Sequence, residues 1–256
     1  MSAKPHRRLL IRPGAIGDCI LSFPSLEAAK GDDTEVWIPR PILPLIRFAD
    51  RTRAIIDTGL DRLGVFPGAR LEALERFDSI YSWYGAANDN FREAVRHLPF
   101  TFFPALPPPT KGVPRIPVPA LPKEDHVVLQ PFASGSRKTW PMDNFRAVAQ
   151  ALSEQGIVVK WTAGPEETLP DDLRESAVYF EDLYELGCWI SSARLYIGND
   201  SGISHLAAAV GTSTIAIFLA TDPIVWAPRG EHVTVAERPS VEQVVAIAMN
   251  LMEPSK

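Results

Sequence analysis

Between Pro104 and Pro122 the chain reads PALPPPTKGVPRIPVPALP, which holds eight of its 24 prolines. Proline fixes φ, lacks an amide N–H and clashes with the preceding turn of a helix. This run can therefore be neither a helix nor a central strand, and it is expected to be an extended, semi-rigid connection. A proline-rich partner motif is the alternative, but a position between two folded halves favours the linker. The expected organisation is a first domain over residues 1–108, a linker over 109–122 and a second domain over 123–256.

Composition limits what those halves can be. In a chain of 256 residues each half is long enough to bury a core. With 46% hydrophobic and 22% charged residues the composition is that of a globular protein. No apolar run approaches the roughly 18–20 residues of a membrane span. The opening, MSAKPHRRLLIRPGAIGD, has basic residues but reaches Pro13 too soon for a signal peptide. Cys19 and Cys188 lie in apolar stretches without metal-ligand spacing, so both are expected to be buried, reduced thiols, which suits a cytoplasmic protein. The net charge of −5 argues against nucleic acid as a partner. Residues 1–103 carry 14 Lys/Arg against 13 Asp/Glu, and residues 104–256 carry 12 against 18, an asymmetry consistent with two domains.

Both halves alternate strand and helix. In the first, Arg7 to Arg12 is a buried strand, and Gly14 to Asp18 is a glycine turn into a helix running to about Lys30, with Gly31 as its stop. G-x-G-x-x-G is not met, which disfavours a nicotinamide dehydrogenase. Glu35–Ile38, Ala54–Asp57 and Ser79–Trp83 read as strands, the first two separated by a proline-broken helical stretch. Tyr84 to Asp89 is then a polar loop at the carboxyl end of a strand, where parallel sheets hold ligands. There Trp83 and Tyr84 could stack on an acceptor sugar, although Trp83 fits a core role somewhat better. In the second half His126–Gln130 and Ile157–Trp161 are strands around a helix N-capped by Asp143 and stopped at Gly156. A helix over Leu183–Ser191, a strand over Val233–Ala236 and a capping box at Ser240–Gln243 complete it.

The most informative stretch is Arg194 to Pro228, RLYIGNDSGISHLAAAVGTSTIAIFLATDPIVWAP. Leu195–Ile197 is a short strand and Gly198-Asn199 a turn. Asp200 or Ser201 can cap a helix, Gly211 sits where a C′ glycine belongs, and Ser213–Phe218 is the next, parallel strand. The free N–H groups and dipole of such a helix start favour an anion, most often phosphate. An ordinary capped helix in an α/β domain would read the same way.

NDSGISHLAAAVGTSTIAIF followed by Thr221-Asp222-Pro223 resembles the D-[ST]-G-x-x-H-x-A-A-x-x-G…TDP signature of glycosyltransferase family 9, the ADP-heptose:lipopolysaccharide heptosyltransferases and their relatives. Leu219-Ala220 stands where the family usually has Gly-Pro. The opening around Gly14, Gly17 and Asp18 resembles the family's I-R-x-G-x-x-G-D motif, with Pro13 as a departure. The chain is shorter than the usual member, its first domain most of all. The resemblance implies the GT-B architecture, two Rossmann-like parallel-sheet α/β domains facing across a cleft. It also implies inverting transfer of a heptose-like sugar from an ADP-linked donor to a hydroxyl of a lipopolysaccharide-core or other glycan or lipid-linked acceptor.

The resemblance assigns roles to residues as well. In the loop after the second domain's first strand, Ser134, Lys138, Trp140 and Pro141 match the family's phosphate-gripping motif, with Ser136 beside them and Arg137 a less certain helper. Lys138 would aid departure of the diphosphate. The amides of Ser201, Gly202 and Ile203 face the same diphosphate, and Asp200 orients the turn. His205 either bonds a phosphate oxygen or packs. Glu166, or else Glu167, accepts from ribose hydroxyls. Asp18 matches the family's proposed general base, though a helix-opening acid would stand in the same place. No metal or cofactor is expected, the nucleotide sugar being a substrate. The basic-apolar stretch with Arg40, Arg47, Arg51 and Arg53 suggests peripheral contact with the inner membrane, against the plainer reading of a solvated face. A non-catalytic nucleotide-sugar-binding protein and a nucleotide-sugar epimerase are the competing readings on the same fold.

Overall fold

The structure, a computed structural model, describes residues 4–66, 68–104, 112–165 and 167–253. The chain divides into two compact units, Met1–Gly112 and Val113–Lys256. Each is built around its own parallel sheet.

The first unit runs β1 (Arg7–Ile11), α1 (Ile16–Ala28), β2 (Asp33–Ile38), β3 (Arg51–Ala54), β4 (Ser79–Ser82), α2 (Asp89–Ala94) and β5 (Phe100–Phe102). Its five strands lie in the order β3-β2-β1-β4-β5, all parallel. Leu9, Leu10 and Ile11 of β1 are fully buried, the continuous apolar run expected of a parallel strand covered on both faces. Glu35 interrupts β2 as a buried acid. Its carboxylate accepts from Trp37 Nε1 at 2.7 Å, Arg76 Nη2 at 2.7 Å and Arg51 Nε at 3.3 Å. Such pairing is what makes a buried charge tolerable.

The second unit runs β6 (His126–Gln130), α3 (Met142–Glu154), β7 (Val158–Ala163), β8 (Ala177–Tyr179), α4 (Leu183–Ser192), β9 (Leu195–Asn199), α5 (Gly202–Ala209), β10 (Thr214–Phe218), α6 (Pro223–Trp226), β11 (Val233–Glu237) and α7 (Val241–Met252). Six parallel strands lie in the order β11-β10-β9-β6-β7-β8. Val127, Leu129, Ile197, Ile215 and Ile217 from the sheet pack with Phe145 and Val148 of α3 and Val244 and Ala248 of α7. The helix α5 closes as a Schellman motif. Gly211, at φ +83°, donates to Ala208 O, and Thr212 donates to Ala207 O.

Several expected boundaries move, each for a local reason. Gly198 and Asn199 are not a turn but the last two residues of β9, paired with β10. The strand expected at Ala54–Asp57 lies one step earlier, and Ile55–Asp57 is a 3-10 turn. The residue before α3 is Pro141, with Asp143 inside the first turn; proline pre-sets φ for a helix start better than a side-chain cap placed two residues later. The first helix ends at Ala28, short of Gly31. The polar loop after β4 turns helical at Asp89, where Asn88 Oδ1 accepts from Phe91 N at 3.0 Å. Cys19 is buried, whereas Cys188 is only half-buried.

Of the proline-rich run, residues 109–111 lie outside the described residues. Its later part, toward Lys123, is held on the second unit. Ile116 is buried and donates to Ala209 O, Pro117 O accepts from the Tyr184 hydroxyl, and Lys123 Nζ donates to Ser191 O at 2.8 Å. In the basic-apolar stretch, Arg40 pairs with Asp57 at 2.6 Å and Arg51 with Asp33 at 2.6 Å, while Arg53 lies 4.0 Å from Glu35. Ile42, Leu45 and Ile46 face the core. These pairs spend charge that a membrane contact would need, so the stretch gives that expectation no support. Among the described residues no helix is long and apolar enough to cross a membrane.

One position tests the packing directly. A Cβ at Gly198 would stand 2.4 Å from the hydroxyl of Tyr196, which is fully buried and has no room to withdraw. Gly198→Ala is therefore expected to cost about 1–3 kcal/mol by overpacking. Urea denaturation of the full chain measures it, and an unchanged midpoint would show that the ring can move aside.

Candidate functional site

In an open parallel sheet, ligands sit beyond the carboxyl ends of the strands where strand order reverses. In the first unit the chain builds β2 and β3 on one side of β1, then returns to build β4 and β5 on the other. The reversal lies between β1 and β4. In the second unit it lies between β6 and β9, which are direct neighbours. The candidate residues fall at these two places.

In the second unit, the loop after β6 carries Ser134 and Ser136, both exposed, and a 3-10 turn over Ser136–Lys138. Beside it, the chain leaving β9 carries Asp200 and opens α5 at Gly202. Lys138 Nζ meets Asp200 Oδ2 at 2.8 Å. The same carboxylate oxygen accepts from Thr221 Oγ1 at 2.5 Å. Asp200 is 5% exposed, so the ammonium side of the pair is the one that reaches solvent.

Neither residue expected to cap α5 does so. Ser201 occupies the N-cap position, but its hydroxyl makes no cap bond and instead donates to Gln130 Oε1 at 3.4 Å. Asp200 is engaged with Lys138 and Thr221. Ser204 Oγ turns back to Asn199 O at 2.6 Å. The first-turn amides, with Gly202 and Ile203 among them, are therefore left without a side-chain cap, at the positive end of the helix dipole. His205 lies one turn further in and is buried.

Glu166 lies outside the described residues. Its neighbour Glu167 accepts from Gly164 N at 2.7 Å and from Gln130 Nε2 at 3.3 Å, both through Oε2. Gln130 thus links Glu167 to Ser201. Tyr196 lies beneath, bonded to Ser204 Oγ at 3.4 Å, and burial pushes its hydroxyl's pKa well up so that it stays protonated.

Sequence reasoning misses three residues here. Asn199 has the sequence context of a turn, yet it is fully buried, accepts from Trp140 N at 2.9 Å and donates to Pro131 O at 2.8 Å. It pins both ends of the Lys138 loop to β9. Gln130 is a polar residue ending an otherwise apolar strand, which is the available signal. Thr221 stands within the TDP motif, which by itself gives it no role. In that motif Asp222 Oδ1 accepts from Ile224 N at 2.9 Å, and Pro223 is the first residue of α6.

In the first unit the glycine turn and the aromatic pair come after adjacent strands, and Trp83 N donates to Ile11 O. Asp18 is half-buried at the third position of α1, where Oδ2 accepts from Ala15 N at 3.1 Å. That bond is the helix-opening role, and it occupies one carboxylate oxygen. Gly14, at φ +130°, is exposed and Gly17 buried. Trp83 is 7% exposed and stacks on Phe103 at 4.8 Å. Tyr84 is half-buried, edge-on to Phe91. Both line a groove of about 860 Å³ with Asn88, Arg92, Phe102 and Phe103. Arg92 lies over the Phe102 ring at 4.7 Å.

Set beside known proteins, residues 118–246 match the profile of glycosyltransferase family 9 (heptosyltransferase), half of the 256-residue chain. Lipopolysaccharide heptosyltransferase 3 of Escherichia coli K12 is 37% identical over 125 residues, covering 43% of this chain and 36% of that protein. The chain thus matches about a third of the length of this curated relative. Among solved structures, the ADP-heptose lipopolysaccharide heptosyltransferase II of E. coli superposes with a TM-score of 0.73 at 16% identity, covering 96% of this chain and 98% of that one. A family 9 glycosyl transferase from Veillonella parvula superposes with a TM-score of 0.74 at 18% identity, covering 98% of each. At those identities the two structures establish the fold.

The buried amide of Asn199 gives a further prediction. Asn199→Ala leaves the Trp140 N–H and the Pro131 carbonyl without their partner, and each such loss costs about 1–3 kcal/mol. A stability loss of roughly 2–4 kcal/mol is expected in chemical denaturation. A loss below measurement error would mean that the loop does not depend on this side chain.

Proposed function

The chain belongs to glycosyltransferase family 9, and from that premise we propose that it transfers a heptose-like sugar from an ADP-linked donor to a hydroxyl of a lipopolysaccharide-core or related glycan. The observation that carries this reading is the Lys138–Asp200 pair at the strand-order reversal of the second unit, beside the uncapped start of α5. A cation and unspent amides at one place suit a diphosphate. The donor's adenine and heptose come from the names of the similar proteins.

In this reading the acceptor oxygen bonds to the anomeric carbon as that carbon's bond to the diphosphate oxygen breaks, in one inverting displacement. The diphosphate leaves with the bonding electron pair, and Lys138 with the Gly202 and Ile203 amides takes up its charge. The acceptor's proton passes to the Asp18 carboxylate, whose Oδ1 is not the oxygen spent on Ala15 N. Ser134 and Ser136 supply hydroxyls to the phosphates, and a glutamate after β7 takes the ribose. The aromatic groove of the first unit would hold the acceptor sugar, with Trp83 serving as a wall fixed by Phe103 and Tyr84 as the more accessible ring.

Two experiments test the reading. Nucleoside diphosphate, with ADP as the probe, is expected to bind the full chain in calorimetry with chelator present; binding that disappears in chelator and returns with magnesium would refute the metal-free site. Asp18→Asn should lower turnover by about 10²–10⁴-fold, the usual contribution of a positioned base, with ADP affinity little changed. Lys138→Ala should weaken ADP binding and turnover together. An Asp18→Asn protein with full transferase activity would leave Asp18 as the helix-opening acid that its bond to Ala15 already makes it.

A further inference from the structure

We propose that Thr221 is a positioning residue for Lys138, acting through Asp200. The inference rests on the reading of the second unit as a nucleoside-diphosphate site and adds the device that aims its cation.

Three side chains from three separate segments meet at one atom. Lys138 comes from the loop after β6, Asp200 from the end of β9 and Thr221 from the segment between β10 and α6. The ammonium and the hydroxyl both donate to Asp200 Oδ2, at 2.8 Å and 2.5 Å. Asp200 cannot swing freely, because its backbone N–H donates to Ile217 O at 2.9 Å and its side chain is 6% exposed. What remains to be fixed is the rotation of its carboxylate. The Thr221 hydroxyl fixes it by giving one oxygen a second donor, so that Oδ2 faces the lysine.

A long lysine side chain otherwise samples many rotamers, and ordering it costs free energy at the moment a ligand binds. A carboxylate held in one orientation pre-orders the ammonium beside the start of α5. Thr221 is itself placed by its neighbours. Asp222 caps α6 and Pro223 opens it, which fixes the chain direction one residue after the threonine. Thr, Asp and Pro therefore act as a unit: tether, cap and helix start.

The test separates positioning from general stability, and this inference from the reading beneath it. Limiting acetic anhydride is pulsed onto the full chain without nucleotide, and acetylation of Lys138 is read by peptide mass spectrometry against Lys160 in the same molecule. Thr221→Val is expected to speed labelling of Lys138 by roughly three- to tenfold, the worth of one hydrogen bond, with Lys160 unchanged. Thr221→Ser, which restores the hydroxyl, should return Lys138 to the wild-type rate. ADP affinity in calorimetry should fall by a similar factor in Thr221→Val and be unaffected by Thr221→Val in a Lys138→Met background. Equal Lys138 labelling in wild type and Thr221→Val overturns the proposal. So does a Thr221→Val effect on ADP affinity that persists in full without the lysine. General unfolding would raise labelling at Lys160 as well and would likewise count against it. Should the wild-type chain bind no ADP, the diphosphate reading falls, while the labelling comparison still decides whether Thr221 positions the lysine.

Discussion

The buried amide of Asn199 is the contact on which the second unit's site depends. It ends β9, and its two polar atoms reach Pro131 O and Trp140 N, on either side of the loop that carries Ser134 to Lys138. An exposed loop of that length would sample many conformations. Tied at both ends to the neighbouring strand, it delivers Lys138 to within 2.8 Å of Asp200. A buried amide satisfied on both sides is also costly to disrupt, because breaking either bond strands a polar group away from water.

Geometry then sets the electrostatics. The Lys138 side chain is 30% exposed and that of Asp200 is 6% exposed. A pair so placed gives little net stability once solvent screening is counted. Its value lies in placement, since the carboxylate keeps a cation ordered where a diphosphate is expected. The diversion of Ser201 to Gln130 works in the same direction. A helix that caps itself has spent the donors that an anion would use, whereas α5 has not done so with its own serine.

Much of this is legible in the sequence. Buried parallel strands announce themselves as short β-branched runs, and the loops after them are where ligands collect, so Lys138, Asp200 and Trp83 can be placed from the sequence alone. The order of strands is not legible, because pairing between segments such as β6 and β9, with some sixty residues between them, leaves no local trace. Nor are the partners of polar residues. Asn199 beside Gly198 has the composition of a turn, and only the pairing of β9 with β10 makes it a strand end with a buried side chain. Ser201 has the composition of a cap, and only the position of Gln130 draws its hydroxyl away. The short strands β5 and β8, three residues each, escape a sequence reading because pairing with a neighbour defines them more than their own pattern does.

The first unit solves the same problem with a different side chain. Arg12 comes directly after β1 and is 2% exposed. Its guanidinium donates to Ser22 Oγ at 2.7 Å, Pro13 O at 2.6 Å and Asp18 O at 3.1 Å. Burial lowers its pKa, with the charges of Cys19 and Asp18 acting in the opposite direction. The arginine stays charged all the same, because an arginine side chain is not deprotonated in proteins. Its work is to tie the glycine turn to the first two turns of α1, as Asn199 ties the Lys138 loop to β9. The same burial raises the neighbouring Cys19 thiol to about 12, which keeps it neutral and leaves the local charge to Arg12 and Asp18. In both units, then, a buried polar side chain at or just beyond a strand's carboxyl end holds the loop that carries the candidate chemistry. The units differ in what those loops present: a cation and helix amides in one, a carboxylate beside an aromatic groove in the other. That difference is why the diphosphate is assigned to the second unit and the acceptor to the first.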